Sequence, residues 1–155
     1  MFRGLPSSEY DPDDNARSLE QKHHWERDHR VHVSLRPLRY RLERDATGRP
    51  VRDVHGNVKI IEKREKGVDV LCALAVVREA ARQDIGLVIL ASHDSDLEPA
   101  IDAAGALGSA KIETFRWGSP DDFVYQLRAS DRARPVWCTI LDERAFRASW
   151  DLTPY

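Results

Sequence analysis

Hydrophobic and polar positions change period several times along the chain, and each change marks an element. The opening residues, with Gly4, Pro6 and Ser7 as breakers, read as the end of a strand entering a turn. "DDNARSLEQKHHWERDHR" (residues 13–30) predicts a polar amphipathic helix that starts at Asp13 or Asp14. "VHVSLRPLRYRL" (31–42) alternates and is β-rich in its first half, which predicts one strand, with Pro37 as an edge or bulge signal. Turn residues at Thr47-Gly48 and His55-Gly56-Asn57 make the next stretch a loop or hairpin tip, and "VKIIEKREK" its returning strand. After Gly67, "VDVLCALAVVREAARQ" (68–83) is almost wholly apolar until Arg78, as a helix buried against a sheet must be. "IGLVILAS" (85–92) is a short continuous apolar run and predicts a fully buried parallel strand. "LEPAIDAAGALG" (97–108) predicts a helix with Pro99 in its first turn and Gly108 near its end. "AKIETFRW" (110–117) is a further strand. The tail predicts a short helix after Ser119-Pro120, a strand at "PVWCTIL" (135–141) and a helix over 142–150. No internal repeat or low-complexity tract is evident. Strand, helix and strand in succession make a right-handed βαβ unit, so the class is α/β with a mostly parallel sheet.

The chain's 155 residues are enough for one domain with a core, and 1–155 is read as a single domain. Hydrophobic residues at 41% and charged residues at 32% fit a globular protein, and no run reaches membrane-span length. The start "MFRGLPSSEY" lacks the basic-then-apolar layout of a secretory signal. Cys72 and Cys138 sit in apolar stretches and read as buried free thiols; together these features predict a cytoplasmic protein without a membrane partner. A net charge of −2 hides an asymmetry, because residues 36–66 carry +5 and the remainder −7. A basic hairpin or flap beside an acidic body suits phosphate attraction combined with divalent-metal binding.

The acids bear on chemistry through topology. In open α/β sheets, ligands bind beyond the carboxyl ends of the strands. Asp94 and Asp96 follow the strand ending at Ala91. Asp69 opens the preceding helix, whose start lies at the same sheet edge, so the three carboxylates can converge. Each alone is more often a helix cap or a dipole partner. Together they would repel, and a hard cation such as Mg²⁺ or Mn²⁺ removes that cost and takes phosphate oxygens from a substrate. Ser92 and Ser95 could orient ligands, and Lys66 could meet a phosphate. His23, His24, His29 and His32 lack zinc-site spacing. The tryptophans read as packing residues more readily than as base-stacking ones.

"EKGVDVLCALAVV" followed by "LVILASHDSDLEPAI" resembles the NYN domain family of PIN-like nucleases. The family pattern is a Lys-Gly-x-Asp at a helix start, then an apolar strand ending in Ser-x-Asp-x-Asp. The motif-bearing core spans about 58–117, and "FRGLPS" and "RPLRYR" extend the resemblance towards Phe2. It implies a PIN-like three-layer α/β sandwich and metal-dependent hydrolysis of RNA phosphodiesters, leaving a 5′-phosphate. Asp69, Asp94 and Asp96 would be the catalytic, metal-binding acids. Substrate contacts are expected from Ser92, Ser95, Lys66, Arg36, Arg39 and Arg41. The family also opens with a strand ending in Asp-x-Asn, which this chain lacks, so the fold is expected to be N-terminally incomplete. Three explanations stand open: a start placed too late in the gene, a genuine truncation, or a second copy or partner chain that completes the sheet. Two functional classes follow, a ribonuclease weakened by that gap and a non-catalytic RNA-binding or protein-interaction module. A receiver-like phosphoacceptor ranks last.

Overall fold

The computed structural model describes residues 1–118, 125–131 and 135–150. It is mixed α/β with small, mostly parallel sheets, and the chain divides into two compact units, residues 1–68 and residues from Asp69 onward. The short helix expected after Ser119-Pro120 falls outside the described residues.

In the first unit, β1 (Phe2–Leu5) runs parallel to β2 (Ser34–Pro37), with α1 (Pro12–Trp25) between them in sequence. Gly4 is required in β1 by close approach, since a Cβ there would lie 2.4 Å from the Leu38 side chain. The helix starts with Pro12, not with Asp13 or Asp14, and ends at Trp25, short of the expected Arg30. It stops where Lys22 and Glu26 turn towards the chain entering β2. Glu26 accepts from the Val33 N–H at 2.8 Å, and Lys22 donates to the Val33 carbonyl. The single strand expected over 31–42 is two. β2 ends at Pro37, which has no N–H to continue a ladder, and β3 (Arg39–Leu42) leaves to pair antiparallel with β4 (Ile60–Arg64).

Asp11 stands at the N-cap of α1 yet makes no capping hydrogen bond. Its carboxylate instead accepts from Lys63 of β4 and, at 2.6 Å, from the Tyr40 hydroxyl of β3. Tyr40 also accepts from the Ser7 N–H at 2.9 Å. This clamp ties the helix start to the hairpin in a unit whose fully buried apolar residues, among those described, are Val33 and Val68.

The hairpin tip corrects the expectation that no repeat exists. Arg44-Asp45-x-x-Gly48 recurs as Arg52-Asp53-x-x-Gly56, eight residues on. In both turns the Asp Oδ1 accepts the N–H groups two and four residues ahead, the Gly has positive φ, and an Arg Nη1 donates to the Gly carbonyl at 2.6 Å. The legs close on themselves. Glu43 N–H donates to Lys59, Lys59 to Val51, and Val51 to Glu43, each at 2.9 Å. The repeat escapes inspection because its period is short and few positions are identical.

In the second unit, α2 (Val68–Ala80) precedes β5 (Leu87–Ala91), a 3₁₀ turn (Ser95–Leu97), α3 (Glu98–Leu107), β6 (Lys111–Trp117), β7 (Trp137–Leu141) and α4 (Glu143–Ala148). The sheet order is β5-β6-β7, all parallel, with Leu87 opposite Lys111 and Glu113 opposite Trp137. One face of the sheet packs on the helices. Val88, Leu90 and Ile112 join Val76 and Ala80 of α2, Leu97, Ile101 and Ala104 around α3, and Leu127. The only buried polar residue among those described, Thr114, donates its hydroxyl to the Trp137 carbonyl.

β5 was expected to be fully buried and is not. It ends the strand order, and its residues alternate, so Leu87 and Ile89 on the second face are 45% and 54% exposed. The tryptophans, read as packing residues, include three that are exposed: Trp117, Trp137 and Trp150 at 41%, 64% and 60%. Trp117 meets Phe146 edge to face with centroids 5.9 Å apart, and Trp150 lies tilted against Phe146 at 5.6 Å. Cys72 and Cys138 are both free and half-buried.

Ile101→Ala should cost about 2–5 kcal/mol of unfolding free energy, from lost transfer energy plus the cavity left behind, as read by urea denaturation. The Lys63 and Tyr40 hydrogen bonds hold the Asp11 carboxyl below its ordinary range. A carboxylate with a lowered folded-state pKa stabilises above its unfolded value, near about pH 4, and loses that contribution as pH falls through the folded value. Asp11→Asn should therefore flatten the acid limb of the stability–pH curve.

Candidate functional site

The acidic turn is built from the end of β5. The Asp94 N–H donates to the Ser92 hydroxyl at 3.1 Å, which holds the chain extended. Asp94 Oδ1 then accepts the Asp96 N–H at 3.0 Å, and the Leu97 N–H closes onto the Asp94 carbonyl at 3.1 Å. Leu97 is buried in the core cluster and pegs the turn to the sheet. The cap of this turn is thus Asp94, while Asp96 is released from capping.

Asp96 and Asp69 line one cavity of about 420 Å³. Its remaining walls are apolar: Val70, Ala73, Leu74 and Val77 from α2, and Pro99 and Ala100 from α3. Two of the three predicted acids therefore line the same cavity. Asp94 is not on the cavity wall, because one of its oxygens serves the backbone of the turn. Ser92 positions Asp94, Ser95 is exposed at the first residue of the 3₁₀ turn, and His93 is exposed. Among the described residues, no group of three or more His, Cys, Asp and Glu side chains is placed to hold a metal ion. The donor set at the cavity is a pair of carboxylates. That chemistry fits one side of a hydrated Mg²⁺, which keeps several waters and is commonly held by one or two carboxylates.

The basic residues lie on the first unit. Arg39, Arg41 and Lys66, all predicted, line a cavity of about 380 Å³ together with Tyr40, Glu62 and Arg64. Arg36 is not in that wall. Its Nε donates to the Lys66 carbonyl at 2.7 Å and so fixes the turn at Gly67. Arg44 and Arg52 are engaged by glycine carbonyls, and Lys59 pairs with Glu43 at 3.6 Å. Arg64 and Glu62 were not singled out by sequence reasoning. The signal for them is the register of β3 on β4, which places Arg39 opposite Arg64 and Arg41 opposite Glu62. A second missed residue is Arg116, one position beyond the Phe115–Ala91 pair at the carboxyl edge of the sheet. Its Nε and Nη1 are buried and have no hydrogen-bond partner among the described residues.

Comparison with known proteins finds no matching family model, no matching curated protein and no matching solved structure. Among the described residues, no helix is long and apolar enough to cross a membrane.

Asp94→Ala removes the side-chain acceptor of the turn and should cost about 1 kcal/mol, as loss of an N-cap does. Asp96→Ala should cost less, since Asp96 donates to that turn only through its backbone. Arg116→Met should raise the urea midpoint, because an unpartnered buried donor costs about 1–3 kcal/mol; a fall would show that the guanidinium has an acceptor.

Proposed function

We propose that the chain is a NYN/PIN-like domain of three-layer α/β type that binds RNA and hydrolyses its phosphodiester bonds at the carboxyl edge of β5. The observation that carries this reading is the meeting of Asp69 and Asp96 in one cavity although they come from different helices. Two carboxylates sharing a cavity repel, and a divalent cation, Mg²⁺ or Mn²⁺, offsets that repulsion. What such a cation supplies when bound is activation of a water and stabilisation of the oxygen that leaves the phosphodiester. The chain's own residues have separable roles in this reading. Asp69 and Asp96 are the ligands, Asp94 and Ser92 hold the turn that presents Asp96, and Leu97 anchors it. Arg39, Arg41, Arg64 and Lys66 hold the RNA backbone. A second copy or a partner chain that adds a strand along β5 belongs to the same reading, and it is supported by the position of β5 at the end of the strand order and by the exposure of Leu87 and Ile89. So does a cytoplasmic location.

A specific observation favours a second reading. No three acids are gathered for a metal among the described residues. A module that kept the fold and the basic hairpin but not the chemistry would look the same there.

The two are separated with a labelled single-stranded RNA, with Mg²⁺ or with EDTA. The first reading expects Mg²⁺-dependent cleavage that falls to background in Asp69→Asn and in Asp96→Asn, with RNA affinity retained. Binding without cleavage in the unaltered chain selects the non-catalytic module. Cleavage that persists in both variants places the chemistry elsewhere.

A further inference from the structure

The basic face of the hairpin carries an internal contradiction. Arg39 and Arg64 are direct cross-strand partners in an antiparallel pair, so their side chains leave the same face at neighbouring positions. Like charges placed opposite one another destabilise a sheet. Lys66 follows Arg64 by two residues, and all three line the same cavity as Arg41. Four cations there face a single carboxylate, Glu62.

Glu62 is shared between two of the arginines. Its Oε1 accepts from Arg64 Nε at 3.0 Å and from Nη2 at 2.5 Å, and its Oε2 lies 3.5 Å from Arg41 Nε. Both donors on the Nε–Nη2 edge of Arg64 converge on the one oxygen Oε1, and that edge is the one with which a guanidinium also meets phosphate. Arg39 and Lys66 have no ion pair among the described residues. Of the other cations of the hairpin, Lys63 pairs with Asp11 and Lys59 with Glu43, while Arg44 and Arg52 donate to glycine carbonyls. The face lined by Arg39, Arg41, Arg64 and Lys66 thus gathers four cations around one carboxylate.

We propose that the face formed by Arg39, Arg41, Arg64 and Lys66 is a binding site for backbone phosphates of single-stranded RNA, and that Glu62 is its built-in competitor. The carboxylate occupies the guanidinium edge that an incoming phosphate takes, and binding proceeds by exchange of one anion for the other. No bond is made or broken. The proposal rests on the RNA-binding half of the reading above and is independent of cleavage. An exchange of this kind makes a sign prediction: removing the competitor tightens binding, whereas removing a cation weakens it. Bulk charge alone would make every acid on the hairpin equivalent.

The test is fluorescence anisotropy of a labelled single-stranded RNA oligonucleotide in EDTA, so that cleavage does not enter, with thermal melting of each variant to confirm folding. Glu62→Gln is expected to tighten binding about two- to fivefold, the scale of an exposed ion pair. Glu43→Gln makes the same charge change on the same hairpin and is expected to leave affinity unchanged. Arg39→Gln and Arg64→Gln should each weaken binding and shrink the slope of log affinity against log salt by about 0.7, the value for one phosphate contact on a single strand. Inorganic phosphate should compete with the RNA. Equal effects of Glu62→Gln and Glu43→Gln would sink the proposal, as would no effect of the arginine variants. Failure of the folded chain to bind the RNA, including binding of inorganic phosphate alone, also overturns it. A chain that binds in this way but does not cleave the RNA when Mg²⁺ is added removes the nuclease reading and leaves this site standing.

Discussion

Burial of Leu90, Leu97, Ile101 and Leu127 in one cluster is the constraint on which the second unit rests. Leu90 fixes which face of β5 points inward, and Leu97 brings the chain back onto that face within seven residues. The turn between them has no freedom to wander. Asp94 satisfies its backbone, and Asp96 is left at the rim. The acidic edge is thus a by-product of apolar packing, placed by residues that lie outside it.

The first unit has no comparable core and is held by polar contacts. Asp11, Tyr40 and Lys63 join helix to hairpin, and Lys22 and Glu26 join the same helix to the chain entering β2. The two units therefore respond differently to solvent. Apolar packing weakens on cooling and is not screened by salt, whereas exposed ion pairs weaken with salt and acid.

Much of the second unit was legible in the sequence because its elements are short and sharply punctuated. The run ending at Ala91, Pro99 in the first turn of α3 and the left-handed Gly108 after it each mark a boundary with a local cause. Burial of β5 was not legible, because a continuous apolar run reads the same whether one or both faces are covered. The division of 31–42 into two strands depends on which partner each half pairs with, and that is tertiary information. The meeting of Asp69 and Asp96 followed from topology, since a helix that leads into a parallel strand starts at the edge where the strand ends. The turning of Asp94 into a cap did not, because Asp94 and Asp96, two residues apart, offer the backbone equivalent acceptors. Glu62 lay hidden for another reason. In the sequence it is one acid in a basic segment, and only the cross-strand register shows which arginines share it.

The ring made by Glu43, Val51 and Lys59 has an arithmetic of its own. Three legs joined by two turns use every donor and acceptor in the cycle, each leg giving to one neighbour and taking from the other. Loss of any one leg would leave one donor and one acceptor of the cycle without its partner. The two turn tips lie outside this cycle and keep their own hydrogen bonds through Asp45 and Asp53. The segment behaves as a clasp of fixed length, which sets how far the basic strands project before they turn back.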